Sequence, residues 1–498
     1  MRAAIDSETT AGDLEGAPRL RVLSDGAVTR IHEASLEILE EIGVRIASAE
    51  VRALLADAGC ALLADETFSI PAARVERALE SAPGEVVLHG RDGAECLVLG
   101  RGHSHVGTGV TCIGYLDPFD GSHRDFTLED MALAARLGDA LPNIDFVTTP
   151  GVVRETEAMP QGIVNQHEFY ALVTSTTKPL IVLTADAEGA GDILEMAAVV
   201  AGGREALRER PFVVPYVNPV TPLVFNPETV DKLLLAADWG VPVVCHSAPQ
   251  VGATSPVTLA GTAALVNAET LAGLVISQLR REGTPFLTGS VPLLMDMRTG
   301  NTSTGPETGL LMAAAAELAH GYGLPLVGIG ALSDSKVPDG QAAAEMACNI
   351  LAAMLAGVDL VYDAGVLECG LTYSPEAVVL ADEVAGMCKR FLQGLAVDEE
   401  SLALDVVRAV GIGGQFLGHG HTLEHFRSEL WNPTLMNRQS RERWQQAGGT
   451  GTRDRARARV AEILETHVVE PLPDDVTAAM AEIIDTRRKS LAPSGAAH

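Results

Sequence analysis

The sequence predicts an α/β fold: a (β/α)8 barrel with a helical N-terminal cap and a helical C-terminal extension. Three observations predict it. Eight short apolar runs, most of them rich in β-branched residues, recur between residues 103 and 367, as parallel strands buried on both faces should. Helix-start chemistry comes after several of them. The chain's 498 residues suffice for a barrel of typical size plus roughly a hundred residues at each end.

Residues 1–18 are a polar leader by composition. Residues 19–102 form the expected cap: VTRIHEASLEILEEIGV (28–44) carries apolar residues at helical spacing, and 48–58 and 71–81 each open with a cap residue or a Pro in the first turn. The strand-like runs are 103–110, 145–152, 180–185, 212–219, 241–248, 285–292, 325–332 and 358–367. Between them, Thr127 with Asp130 makes a capping-box start, and Asn226-Pro227-Glu228, Pro306-Glu307 and Ser374-Pro375-Glu376 place Pro and an acid in a first turn. Asp339 opens a further helix, and Gly240, Gly283 and Gly323 sit where helices should stop. Eight such units imply right-handed crossovers closing into a barrel over 103–394. A doubly wound open sheet is the weaker alternative, because no Gly-rich phosphate loop comes after the first strand. Residues 395–498 return to helical and polar patterns as a C-terminal extension.

The net charge of −30 argues against nucleic acid or an anionic membrane as partner. It suits a cationic substrate, although the same charge also serves solubility. Seven scattered cysteines without a CxxC pair are reduced thiols in a reducing compartment, with no zinc spacing. The first twenty residues hold acids and no apolar core of a signal peptide, and no run approaches the ~20 residues of a membrane span. A cytoplasmic protein is expected, with identical copies associating.

In a barrel of this type the site lies at the C-terminal mouth, built from the loops after each strand. The candidates there are Tyr115, Asn218, His246, Arg298, Glu307, Tyr362, Asp363 and Tyr373, with Asp334, Lys336 and Gln341 in the dense polar run 330–341. That run also fits a capped helix start with solvated charges. His246 at a strand end is either a satisfied structural imidazole or a hydrogen-bond partner of the substrate. Asp363 ends a buried strand, where an isolated carboxylate is costly unless paired, hydrated or functional. GHGHTLEHF (418–426) places His421 and His425 four apart with Glu424 between, but spacing nominates no further ligand, and a structural or interface role outweighs a metal site. No metal ligands are assigned.

Several stretches resemble the trimethylamine methyltransferase family: TSTTKPL (174–180), NPVTPLVFNPE (218–228), GATSPVTLAGTAALVNAETLAG (252–273), DMRTG (296–300), SDSKVPDGQAAAE (333–345) and GGQFLGHGHTLEHFRSELWNPTLMNRQSRERW (413–444). Together they span nearly the whole chain. The resemblance implies a barrel enzyme that passes a methyl group to the Co(I) form of a corrinoid. Because this chain has no corrinoid-binding Asp-x-His-x-x-Gly, the cofactor is expected to arrive on a separate corrinoid protein rather than to be bound permanently. Some family members carry pyrrolysine; this chain has none, and 328–334 reads GIGALSD. A tertiary amine needs activation before it can leave, whereas a quaternary ammonium is already a competent leaving group, so the resemblance points to a betaine-like substrate. Its cationic head calls for aromatic faces and a counter-charge, drawn from Tyr115, Phe286, Tyr362, Tyr373 and Asp363. Arg298 or Lys336 would meet a substrate carboxylate, and a small-residue rim of Gly328, Gly330, Ala331 and Gly365 would admit the corrin. His246, Asp334, Lys336 and Asp363 are the candidate catalytic groups. Two other readings stay open: a lyase or aldolase using Lys336 as a Schiff-base amine, and a quaternary-amine binding homologue without activity.

Overall fold

The computed structural model describes residues 18–154 and 159–491. All but the last residue of the expected leader therefore lies outside the described residues. Eight parallel strands form one sheet: β1 (His105–Thr108), β2 (Val147–Thr148), β3 (Leu180–Val182), β4 (Val213–Val217), β5 (Val243–Ser247), β6 (Phe286–Ser290), β7 (Leu326–Ile329) and β8 (Leu360–Ala364). β8 pairs with β1. Between β1 and β2 the ring closes through a parallel bridge from Gly107 to Phe146, and a Cβ at Gly107 would overlap the Phe146 ring. The sheet is a barrel, and each strand lies inside a run marked out by the sequence.

A helix succeeds each strand: α1 (Leu128–Ala140), α2 (Gln161–Thr174), α3 (Ala187–Ala201), α4 (Pro227–Trp239), α5 (Leu259–Arg280), α6 (Pro306–Tyr322), α7 (Gly340–Ala356) and α8 (Pro375–Leu392). The local chemistry explains where they start and stop. Thr127 and Asp130 cap α1 reciprocally. Asn226 caps α4 through Thr229 N, Asp339 caps α7, and Ser374 caps α8. Gly240 and Gly323 end α4 and α6 in left-handed conformation. Among the described residues α5 alone is long and apolar enough to cross a bilayer. Its whole stretch 262–278 is buried in the protein, so it is a core helix.

The N-terminal cap has helices Asp25–Glu37, Ala49–Asp57 and Ala72–Ser81. It also carries strands that the sequence analysis did not anticipate. Val44–Ile46 pairs with Thr67–Phe68 and with Val224–Phe225 of the β4–α4 loop, and Val86–His89 forms a hairpin with Glu95–Leu99. In the extension, helix Thr452–Thr466 packs on α8 and α1, and Asp474–Leu491 packs on α2 and α3.

Loops at the C-terminal ends of the strands fold into two small sheets. Gly114–Leu116 and His123–Asp125 from the β1–α1 loop join Val366–Leu367 and Thr372–Tyr373 from the β8–α8 loop. Gln250–Val251 from the β5–α5 loop joins Leu293–Met295 and Thr302–Ser303 from the β6–α6 loop. These sheets fix the mouth.

Candidate functional site

Alternation along β5 and β6 decides which side chains face the barrel interior. A Cβ on Gly273 of α5 would sit 2.6 Å from Cys245 Sγ and 3.7 Å from the Phe286 ring, so both side chains face the helix. Their strand neighbours His246 and Gly289, opposite one another in register, face inward. Glycine is needed at 289 because a Cβ there would lie 2.7 Å from the imidazole.

Three rings meet inside the barrel. Tyr216 of β4 stacks on His246 with centroids 4.5 Å apart and planes at 24°. Tyr362 of β8 meets the same imidazole edge-on at 5.4 Å, its hydroxyl 3.3 Å from His246 Nδ1. Next in the chain, Asp363 adopts φ +84° where the β8–β1 register shifts. That break in alternation leaves its carboxyl close enough to Tyr216, Tyr362, Cys112 and Cys369 for its charge to raise all four of their pKa values.

Burial sets the charges of this cluster. It pushes Asp363 from 3.8 up to about 8, against the opposing pull of the Val110 N–H. It pushes His246 from 6.5 down to about 3. At neutral pH the imidazole is therefore uncharged and most of the Asp363 carboxyl keeps its proton. His246 Nε2 is buried without a hydrogen-bond partner among the described residues. Tyr216 and Asp363 retain 8% and 5% exposure, so the cluster is not sealed from solvent.

Glu269, a buried carboxylate on α5, holds the end of β5. It accepts from the Ser247 hydroxyl, from Thr221 Oγ1 at 2.9 Å and from Leu223 N at 2.7 Å. Burial pushes its pKa up while these three donors pull it back. The residue beside His246 and the β4–α4 loop are thereby fixed by one group.

Of the residues singled out in the sequence, His246, Tyr362 and Asp363 come together here. Tyr115 and Tyr373 stack on each other in the mouth sheet at 6.3 Å and 22°. The Arg124 guanidinium lies 4.4 Å from the Tyr115 centroid and is forked onto Asp130 at 2.5 and 2.8 Å. Tyr115 is thus already engaged, while the buried Tyr373 hydroxyl has no partner among the described residues.

Phe286 corrects the expected aromatic set: it packs against α5, outside the barrel. Asn218, Arg298 and Lys336 are exposed residues of the mouth loops, and Glu307 and Gln341 are exposed in the first turns of α6 and α7. Arg298 sits 3.5 Å from Asp296, Lys336 Nζ donates to the Asp334 carbonyl at 2.8 Å, and Gln341 donates to Glu345 at 2.9 Å. Asp334 is half-buried, which raises its pKa, and its carboxylate accepts from Thr304 N at 2.9 Å, tying the β6–α6 loop to the β7–α7 loop.

The expected small-residue rim is corrected as well. A Cβ on Gly328 would overlap Met312 of α6, one on Gly330 would overlap Val361 of β8, and one on Gly365 would overlap Val378 of α8. Gly328 and Gly365 let helices approach the barrel, and Gly330 lets the neighbouring strand do so. Ala331 is fully buried and donates its N–H to the Tyr362 carbonyl at 3.1 Å. Beside those polar groups the rim exposes apolar residues: Ile113, Val152, Val220, Val257, Met297 and Leu371 stand on six different strand-to-helix loops.

His421 and His425 lie with ring centroids 4.3 Å apart on helix Gly420–Glu429. Among the described residues no group of three or more His, Cys, Asp or Glu is arranged to hold a metal. Sequence reasoning missed Tyr216, Gly289 and Glu269. Tyr216 lies two residues before Asn218, and Glu269 is an acid within an otherwise apolar helix; both were signals open to a reader of the sequence.

The fold is that of a (β/α)8 enzyme, and the aromatic rings with one acid near the C-terminal ends of the strands mark its candidate site. Comparison makes the class specific. The sequence matches the family of trimethylamine methyltransferase (MTTB) over residues 2–492; the chain belongs to that family and is a methyltransferase. It is 34% identical over 480 residues to glycine betaine methyltransferase of Desulfitobacterium hafniense strain Y51, covering 95% of this chain and 98% of that one. It is 35% identical over 467 residues to trimethylamine methyltransferase MttB of D. hafniense strain DSM 10664 / DCB-2, covering 93% of each. The crystal structure of the Methanosarcina barkeri monomethylamine methyltransferase (MtmB) shares the fold, with a TM-score of 0.51 at 14% identity over 89% of each chain.

Proposed function

We propose that the chain removes a methyl group from a small quaternary amine of the betaine type and passes it to a corrinoid carried by a partner protein, in a reducing compartment such as the cytoplasm. The observation that carries the substrate assignment is the Tyr216–His246–Tyr362–Asp363 cluster. It offers aromatic faces, an uncharged imidazole and one acid, with no fixed cation among the described residues of the cluster to repel an ammonium. The chain also lacks pyrrolysine, which suits a nitrogen that needs no activation before it leaves.

In this reading Tyr216 and Tyr362 face the ammonium and Asp363 supplies the counter-charge. Arrival of the cation lowers the Asp363 pKa, and its proton passes to solvent. Glu269 and Gly289 hold His246 in place, so that the reacting methyl is aimed by a rigid wall. The C–N bond breaks with its electron pair staying on nitrogen; the product is a neutral tertiary amine, and no proton is required. Of the two cations the sequence offers for a substrate carboxylate, Arg298 at the mouth is the one this reading uses, since the Lys336 amine is turned onto the Asp334 carbonyl.

The corrinoid, in its Co(I) state, supplies the two-electron nucleophile that takes the methyl group. The glycines expected to admit it are used in packing strands and helices, but the apolar residues exposed on six rim loops suit a docked protein. The seven free thiols fit a reducing compartment.

The test is a screen of glycine betaine, proline betaine, carnitine, choline and trimethylamine with a reduced corrinoid protein, monitoring loss of the Co(I) absorption. At least one quaternary amine should support turnover faster than trimethylamine. Turnover with trimethylamine alone would refute the substrate assignment.

A further inference from the structure

We propose that His246 selects the substrate by its oxygen: the imidazole Nε2–H donates to a carboxylate that the quaternary amine carries close to its nitrogen. This deepens the reading above and rests on it, taking the ammonium among the tyrosines as given.

The strands leave one part of the imidazole free. β5 lies between β4 and β6, so the ring has a strand on either side. Tyr216 of β4 covers one face, with centroids 4.5 Å apart. From β6 the backbone of Gly289 comes so close that a Cβ there would lie 2.7 Å from the ring. The Tyr362 hydroxyl takes up Nδ1 at 3.3 Å. Nε2 remains, at the end of the ring farthest from its own backbone, on a side chain that faces inward. His246 is wholly buried, and this nitrogen has no hydrogen-bond partner among the described residues.

Buried polar groups are nearly always paired, because an unmade hydrogen bond leaves the loss of water uncompensated. The ring is poorly placed to turn toward a partner within the protein, since Tyr216 and Gly289 flank it and the adjoining Ser247 is held by Glu269. A ligand can supply one. With the Tyr362 hydroxyl donating to Nδ1, the uncharged ring keeps its own proton on Nε2. The opposite tautomer would offer a lone pair there, and a quaternary ammonium has no N–H to give it. A carboxylate accepts from an N–H readily.

An uncharged donor also suits the position. The imidazole centroid is 4.5 and 5.4 Å from those of the two tyrosines, so a cation held by both rings lies beside it. A lysine or arginine in its place would repel that cation. An imidazole N–H binds the oxygen and leaves the ammonium to Asp363. The two oxygens of a carboxylate let one accept from His246 while the other faces the mouth, where Arg298 stands.

Calorimetric titration of the full chain with glycine betaine, tetramethylammonium and propyltrimethylammonium tests the proposal. The wild type should bind glycine betaine at least about tenfold more tightly than either oxygen-free cation. His246→Phe keeps an aromatic face without the donor and should lose that preference; His246→Gln, whose amide N–H can donate, should recover part of it. The ¹⁵N spectrum of the histidine-labelled wild type, assigned with His246→Gln, should show a protonated Nε2 that shifts when glycine betaine is added. A wild type without the preference, a Phe variant that keeps it, or an unprotonated Nε2 would overturn the proposal and leave the ammonium site standing. Failure of all three cations to bind the wild type would instead remove the substrate assignment on which the proposal rests, and the proposal with it.

Discussion

Replacing Asp363 by Asn removes an ionisable group that the folded barrel keeps largely uncharged. Burial raises the Asp363 pKa from 3.8 to about 8, so at pH 7 the native chain holds a proton that the unfolded chain releases. A group raised on folding contributes stability that is complete below the unfolded pKa and is lost as pH rises through the folded one. The window here is therefore pH 4 to 8. At 1.36 kcal/mol per pH unit the full loss is about 5–6 kcal/mol; relaxation and the residual exposure of the carboxyl reduce it to roughly 2–4 kcal/mol. Asn has the same shape, is neutral at every pH and tolerates the φ of +84°. Asp363→Asn should thus match the wild type near pH 4 and gain about 2–4 kcal/mol by pH 8, while its apparent affinity for the amine falls. Urea unfolding at pH 4, 6 and 8 measures the first effect and KM the second. A gain that does not vary with pH, or a loss at pH 8, would refute the placement of this acid in an apolar wall.

His246→Gln should act with the opposite sign. The native imidazole is pushed down to about 3, so its contribution to stability is complete above 6.5 and shrinks by about 1.4 kcal/mol per pH unit below it. The variant should lack that slope between pH 6.5 and 4, as read by thermal unfolding at each pH, and identical slopes would contradict it. Gly328→Ala should destabilise the fold by about 1–3 kcal/mol through its clash with Met312; the folded fraction should keep the wild-type dependence on corrinoid-protein concentration in the methyl-transfer assay. Lys336→Ala should change kcat/KM no more than about threefold, because the exposed amine meets only a backbone carbonyl. Borohydride trapping of a carbonyl compound at that lysine would contradict this.

The barrel was legible in the sequence for a physical reason. Parallel strands buried on both faces must be continuously apolar, so runs such as 212–219 and 241–248 stood out, and caps at Thr127, Asn226 and Ser374 punctuated them. The same double burial hid the site. Nothing in the composition of 285–292 separates Phe286, which faces a helix, from Gly289, which faces His246. Looking to the loop beyond each strand, rather than to the strand's inward face, passes over Tyr216 and favours exposed residues such as Arg298 and Gln341. The rim glycines failed likewise: whether Gly328 opens the mouth or admits a helix depends on its register with Ser290, and register is not written in one sequence. Asp363 was found because an acid at the end of an apolar strand demands an explanation whichever way it points.

The central claim is that the ammonium group sits inside the barrel. A crystal structure with a bound quaternary amine tests it most directly. The head group should lie within about 6 Å of the Tyr216 and Tyr362 ring centroids and beside Asp363. A head group held instead among the exposed mouth residues Arg298, Lys336 and Gln341, with the inner rings untouched, would contradict it.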